Sequence, residues 1–241
     1  MALFITFIAG ISILFGALII KLFKNPETIE HLSIALALGS LFALMAFDLV
    51  PEIFESAHEM GLLIPIVFTA IGFVLLKLLD LFVPDHEDTK ENHDTENAAH
   101  IGLISALAVI LHNIVEGMTV YSLSLSSFEK GAIFALGISL HNIPMGMLIY
   151  STLSDSKRIK KFAVFASVTV STLIGGVLMM LISKHLTKNV ISSLVAMASG
   201  MIIYIIFMEL IPHVIKTKPA KISIIGILTG FLIVLLSCKL A

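Results

Sequence analysis

The chain has 241 residues, of which 58% are hydrophobic and 13% charged, with a formal net charge of −2 and a mean hydropathy of +1.05. Soluble domains carry about 45–50% apolar and about 25% charged residues, so a water-soluble globule is excluded and an integral membrane protein is expected. The single Cys238 excludes an intrachain disulfide, and with no Trp any interfacial aromatic belt must come from Tyr and Phe.

In chain order, eight apolar stretches reach the roughly 20 residues that a membrane-crossing helix needs. They are residues 2–22, 31–52, 61–83, 100–123, 131–153, 162–183, 190–212 and 222–240. Inside a bilayer the backbone has no water to bond, so each is expected to be helical. The first stretch has no basic residue ahead of it and no small-x-small cleavage signal, which predicts a retained span, not a removed signal peptide.

Basic residues collect on cytoplasmic loops. Lys21, Lys24, Lys90, Lys157, Arg158, Lys160, Lys161, Lys216, Lys218 and Lys221 fall in the first, third, fifth and seventh loops, against Lys130, Lys184, Lys188 and Lys239 on the other side. Both termini are therefore expected outside. The third loop, residues 84–99, is acidic, with six carboxylates from Asp85 to Glu96 and with His86 and His93 among them. Two readings stay open for it: a solvated linker, or a flexible cation-collecting segment in which His86 and His93 capture metal. Nothing else in the chain leaves room for a further domain, so residues 1–241 read as one transmembrane unit.

The second and seventh stretches carry one pattern twice. "GSLFALMAFDLVPE" from Gly39 and "GMIIYIIFMELIPH" from Gly200 each place an acid nine residues on, Pro twelve on, and Glu or His thirteen on. The two stretches run in opposite directions through the membrane, so the repeat is inverted, a device that secondary transporters use around a midplane site.

A charged side chain at mid-bilayer costs a few kcal/mol on the most lenient scale (~2.5–3.5), so every ionisable residue in a span asks for a function. Asp48, Glu52, His112, Glu116, His141, Glu209 and His213 are these residues. Three of them belong to a second duplication: "LHNIVEGM" in the fourth stretch and "LHNIPMGM" in the fifth put His112 and His141 at similar depth. Glu116 stacks one turn from His112, and Met145 one turn from His141. Asn113 and Asn142 follow about 100° round the helix. Gly117 and Gly146 are expected to let these two helices approach closely, and Pro144 to open the fifth helix near the site. Two imidazoles, a carboxylate and a thioether suit a borderline cation such as Zn²⁺ or Fe²⁺; Ca²⁺ and Mg²⁺ ask for more oxygen. A metal hydrolase is disfavoured, because the His-Glu-x-x-His arrangement is missing.

These residues resemble the ZIP (Zrt-/Irt-like protein) family of divalent metal transporters. The likeness rests on "HNIVEG" and "HNIPMG", on "FDLVPE" and "YIIFMELIPH", and on the polar third loop. It implies zinc or iron uptake towards the cytosol through the fourth and fifth helices, with His112, Asn113, Glu116, His141 and Asn142 on the metal. Many relatives carry Glu where this chain has Met145, and in some that Glu helps to bridge two metals. One metal per site is therefore expected here, with Met145 as a soft fourth ligand or as pocket wall, and Met208 shifting the path towards sulfur.

The expected fold is an all-α integral membrane protein of eight transmembrane helices in a 3+2+3 arrangement, spans 1–3 and 6–8 forming an inverted repeat around spans 4 and 5. The expected metal relay is collection at Asp48 and Glu52, desolvation on the central site, and inward passage by Glu209 and His213. The metal is substrate, no catalytic cofactor is expected, and the chain is not an enzyme. Its expected partners are metal ions and membrane lipid, without nucleic acid; a homodimer is compatible with small residues such as Gly175 and Gly176. The expected location is the cell membrane. The alternative is a non-transporting or regulatory metal-binding relative, since the loss of a carboxylate at position 145 bears on transport.

Overall fold

Apolar runs whose backbone groups must bond within their own segment leave the helix as the regular element, and every element among the described residues is helical. A computed structural model of the chain describes residues 1–22, 26–82, 93–153, 156–183, 187–216 and 220–240. Its helices are α1 (Ala2–Ile20), α2 (Pro26–Leu44), α3 (Val50–Met60), α4 (Leu63–Asp80), α5 (His93–Ser126), α6 (Phe128–Thr152), α7 (Arg158–Ile182), α8 (Lys188–Tyr204), α9 (Ile211–Lys216) and α10 (Ala220–Leu240). Seven continuous helical stretches among the described residues are long and apolar enough to cross a membrane, and α10 adds a shorter apolar one over Ala220–Leu236.

Two of those stretches are built from two α-helices joined by a wider turn. Met45–Leu49 joins α2 to α3, and Ile205–Leu210 joins α8 to α9, both as π-helix. The Val50 N–H donates to the Met45 carbonyl, and the Ile211 N–H to the Ile206 carbonyl. Each π turn is followed, after one intervening residue, by proline, Pro51 or Pro212. Proline has no N–H, and its ring crowds the carbonyl one turn back; a widened turn relieves that crowding. The π turns carry Asp48 and Glu209, the acids of the duplicated pattern, and such turns frequently mark functional sites.

Small residues set how closely the helices approach. A Cβ on Gly39 would run into the Ile227 carbonyl of α10, and one on Gly200 into the Thr69 carbonyl of α4. Accordingly α10 lies along α2, and α4 along α8. Gly175 meets the Ile114 carbonyl of α5, and Gly176 meets Thr6 of α1, so these two glycines serve packing within the chain. At one end of the bundle Lys21 and Lys161 stand 5.9 and 6.0 Å from the Tyr150 ring centre. Basic residues from the first and fifth loops thus share one end.

Three expectations need correction. Pro144 does not open its helix: α6 runs unbroken from Phe128 to Thr152 with Pro144 buried inside it, and the irregular turns lie instead before Pro51 and Pro212. The loop expected over 84–99 ends at His93, where α5 begins; the helix outruns the apolar stretch because it need not stop where the hydrocarbon does. Met208 is 51% exposed, on the outer surface of the bundle, while its neighbour Glu209 is half-buried and lies with Asp80 and His100.

Candidate metal centre

The centre is made by α5 and α6, which Ser127 alone separates. Ser127 caps α6, its hydroxyl accepting from the Lys130 N–H, so the chain reverses in the fewest residues and returns His141 to the depth of His112. Both imidazoles then meet Glu116: His112 Nε2 and His141 Nε2 each lie 2.9 Å from Glu116 Oε1. The rings stand 6.1 Å apart, tilted by 53°. All three side chains are buried, at 6%, 7% and 5% exposure for His112, Glu116 and His141.

In geometry as well as in type these three residues could hold a metal ion. Ligand atoms on a tetrahedral Zn²⁺ at about 2.1 Å are about 3.4 Å apart, so the two contacts have to open by only about 0.5 Å to admit the ion. Burial of such groups is costly unless each finds a partner. Glu116 Oε2, His112 Nδ1, Asn113 Oδ1 and Asn142 Nδ2 are buried without a hydrogen-bond partner among the described residues. A cation is the partner that the carboxylate and amide oxygens lack, whereas the Asn142 amide nitrogen, a donor only, calls for an acceptor.

Asn113 leans away from the imidazoles, its amide nitrogen donating at 3.4 Å to the Val168 carbonyl of α7. Met145 is 2% exposed and packs within the main apolar core. Gly117 and Gly146 do not bring α5 and α6 together as expected. A Cβ on Gly117 would meet the Thr172 carbonyl of α7, and one on Gly146 the Ile13 carbonyl of α1. One residue past the ligand position is about 100° round the helix, so each faces a different neighbour.

A cavity of about 180 Å³ opens beside the centre, lined by Asp48, Glu52, His112, Glu116 and Thr119 among apolar side chains. The structure therefore joins the two acids of the second stretch to the central triad. Glu209 and His213, expected to act together, are instead parted into two groups. Glu209 lies with Asp80 and His100, their ligand atoms within 4.8 Å of one another. Asp80 is held from both sides, by His100 Nε2 at 2.8 Å and by the Tyr204 hydroxyl donating at 2.5 Å. His213 lies with Glu30 and His31. His86 and the side chain of His93 lie outside the described residues.

Asp80, Glu30 and His31 were not among the expected site residues. Each sits at the end of an apolar stretch, where an ionisable residue reads as interfacial, and only the approach of α4, α5 and α9 turns them inward.

The profile described as ZIP zinc transporter matches residues 83–237. The chain is 31% identical to the zinc transporter ZupT of Akkermansia muciniphila, over 95% of this chain and 93% of that protein. Similar proteins carrying the same name occur in Oceanobacillus iheyensis, 27% identical over 100% of this chain and 97% of the relative, and in Chlorobium luteolum, 29% identical over 99% and 97%.

Proposed function

The chain belongs to the ZIP zinc transporter family, and from that premise we propose that it carries divalent transition-metal cations, Zn²⁺ first among them, across the membrane through His112, Glu116 and His141. The observation that carries the reading is the convergence of both Nε2 atoms on one buried carboxylate oxygen at 2.9 Å. Two neutral nitrogens and one anionic oxygen bind a borderline dication and offer too little oxygen for Ca²⁺ or Mg²⁺. Relatives named as zinc transporters over nearly the full length support transport and lend no support to a catalytic or purely regulatory role.

The cation enters by Asp48 and Glu52, whose carboxylates share the cavity with Glu116. Clustered negative charge in a low-dielectric recess raises the local cation concentration. The ion sheds water onto His112, Glu116 and His141, with Asn113 and Asn142 as flanking amides and Met145 as apolar wall or soft ligand. It leaves by Glu209 with Asp80 and His100, towards the acidic loop and the cytosol. The single carboxylate among the three ligands favours one metal per site.

The matched close contacts of Gly39 and Gly200, together with the paired π turns, favour an inverted repeat of spans 1–3 and 6–8 around spans 4 and 5. Rocking of those repeats against the central pair is the natural route to alternating access. The shared end of Lys21 and Lys161 supports a cytoplasmic face there, with both termini outside the cell membrane.

Purified protein in liposomes loaded with a metal-sensing dye tests the reading. Zn²⁺ influx is expected, lost in Glu116→Ala; absence of flux for Zn²⁺, Fe²⁺, Mn²⁺ and Cd²⁺ under every gradient would sink it.

A further inference from the structure

One cluster of metal-ligand chemistry stands apart from both the centre and the exit. Glu30 and His31 lie near the start of α2, and His213 lies on α9, just past the second π turn. Their ligand atoms lie within 4.8 Å of one another. The His31 and His213 rings are 5.9 Å apart and tilted by 42°, close to the 6.1 Å and 53° that relate His112 to His141. His31 Nδ1 is buried and has no hydrogen-bond partner among the described residues. A buried imidazole nitrogen in that condition is costly unless something binds it.

The cluster shares no residue with the central triad. Ile29, beside Glu30, and Leu32, beside His31, pack in one apolar cluster with Tyr150 of α6. Tyr150 is nine residues beyond His141, or about 13 Å along the helix axis, at the end where Lys21 and Lys161 flank its ring. The cluster thus lies far below the centre, near the face expected to meet the cytoplasm.

We propose that Glu30, His31 and His213 form a second binding site for a borderline divalent cation such as Zn²⁺, one that bridges α2 to α9. Two imidazoles and one carboxylate leave a coordination position open for water, the pattern of exchangeable and not of closed structural zinc sites. Hard cations are disfavoured for want of oxygen. The bridged segments belong to the two stretches that carry Asp48 and Glu209, so an ion bound here opposes their separation at this end of the bundle. The site stands on its own ligands, and its failure is told apart from failure of the transport reading because flux is not the readout.

Residue-resolved carbethoxylation of the full-length protein in detergent, read by mass spectrometry with and without Zn²⁺, tests it. With free Zn²⁺ at about 100 times the Kd, the reactive fractions of His31 and His213 are expected to fall about 100-fold. That protection is expected to persist in His112→Ala and to vanish at His31 in His213→Ala, while Glu30→Gln weakens it. Equal reactivity of His31 with and without Zn²⁺ overturns the site. So does protection of His31 that survives His213→Ala, since co-ligation requires each histidine to depend on the other. The wild-type comparison holds whether or not any variant folds.

Discussion

His112 and His141 sit on helices divided by one residue and direct their Nε2 atoms to the same oxygen of Glu116, each at 2.9 Å. Replacing either histidine by Ala removes one of the three proposed ligands. Zn²⁺ affinity is expected to fall by more than the roughly 10–100-fold that loss of an outer-shell partner costs. Glu116→Gln keeps the shape and removes the charge, and is expected to lose uptake likewise. Liposome flux together with Zn²⁺-induced thermal stabilisation checks this; full uptake with normal stabilisation in His112→Ala would remove the centre.

Proton competition gives uptake a pH sign. Imidazole and carboxylate bind metal only when deprotonated, so binding expels protons and weakens as the medium is acidified. Zn²⁺ affinity is therefore expected to rise from acid towards neutral pH, and binding to release protons. Calorimetry in buffers of different ionisation enthalpy measures the release; an apparent enthalpy independent of buffer contradicts it.

Asp48 and Glu52 line the same cavity as His112 and Glu116, so in the proposed path their charges act on entry. Asp48→Asn and Glu52→Gln are expected to raise the KM for Zn²⁺ severalfold, more at low ionic strength than at high, because Debye screening shortens from about 30 Å at 0.01 M to about 10 Å at 0.1 M. A change in maximal rate alone, with KM unmoved, would assign them a different task.

Met145 is buried at 2% exposure in the main apolar core, one helical turn from His141. Met145→Glu adds a carboxylate one helical turn from His141. Equilibrium dialysis is expected to find an additional Zn²⁺ bound, or a preference shifted towards oxygen-seeking metals such as Mn²⁺. Unchanged stoichiometry and selectivity would make Met145 a wall only.

Gly39 and Gly200 answer one another across the repeat, each receiving a backbone carbonyl where a Cβ would stand. Ala at either position forces two backbones apart, and overpacking of this kind costs about 1–3 kcal/mol. Thermal unfolding in detergent is expected to show comparable losses for Gly39→Ala and Gly200→Ala. Gly61 is a different case: its φ is +79° with open space around it, so Gly61→Ala strains the backbone without a clash.

Much of this molecule was legible one residue at a time. Hydrophobic length marks the spans, because the bilayer imposes a fixed thickness and forbids unbonded backbone. The four-residue step from His112 to Glu116 marks a shared face, because the helix period is local. The prolines of the duplicated pattern also hold the signal for the π turns, whereas Pro144 lies within an unbroken helix. What the tertiary structure alone decided is which residues at helix ends meet. Glu209 and His213 are four apart and would share a face of a regular helix, yet they join different groups. The chain passes from the π turn into α9 between them, and α4, α5 and α2 bring Asp80, His100, Glu30 and His31 from far along the sequence. Periodicity speaks only for one helix at a time. The partner across a helix interface is set by packing, and here by glycines that admit a neighbour's backbone.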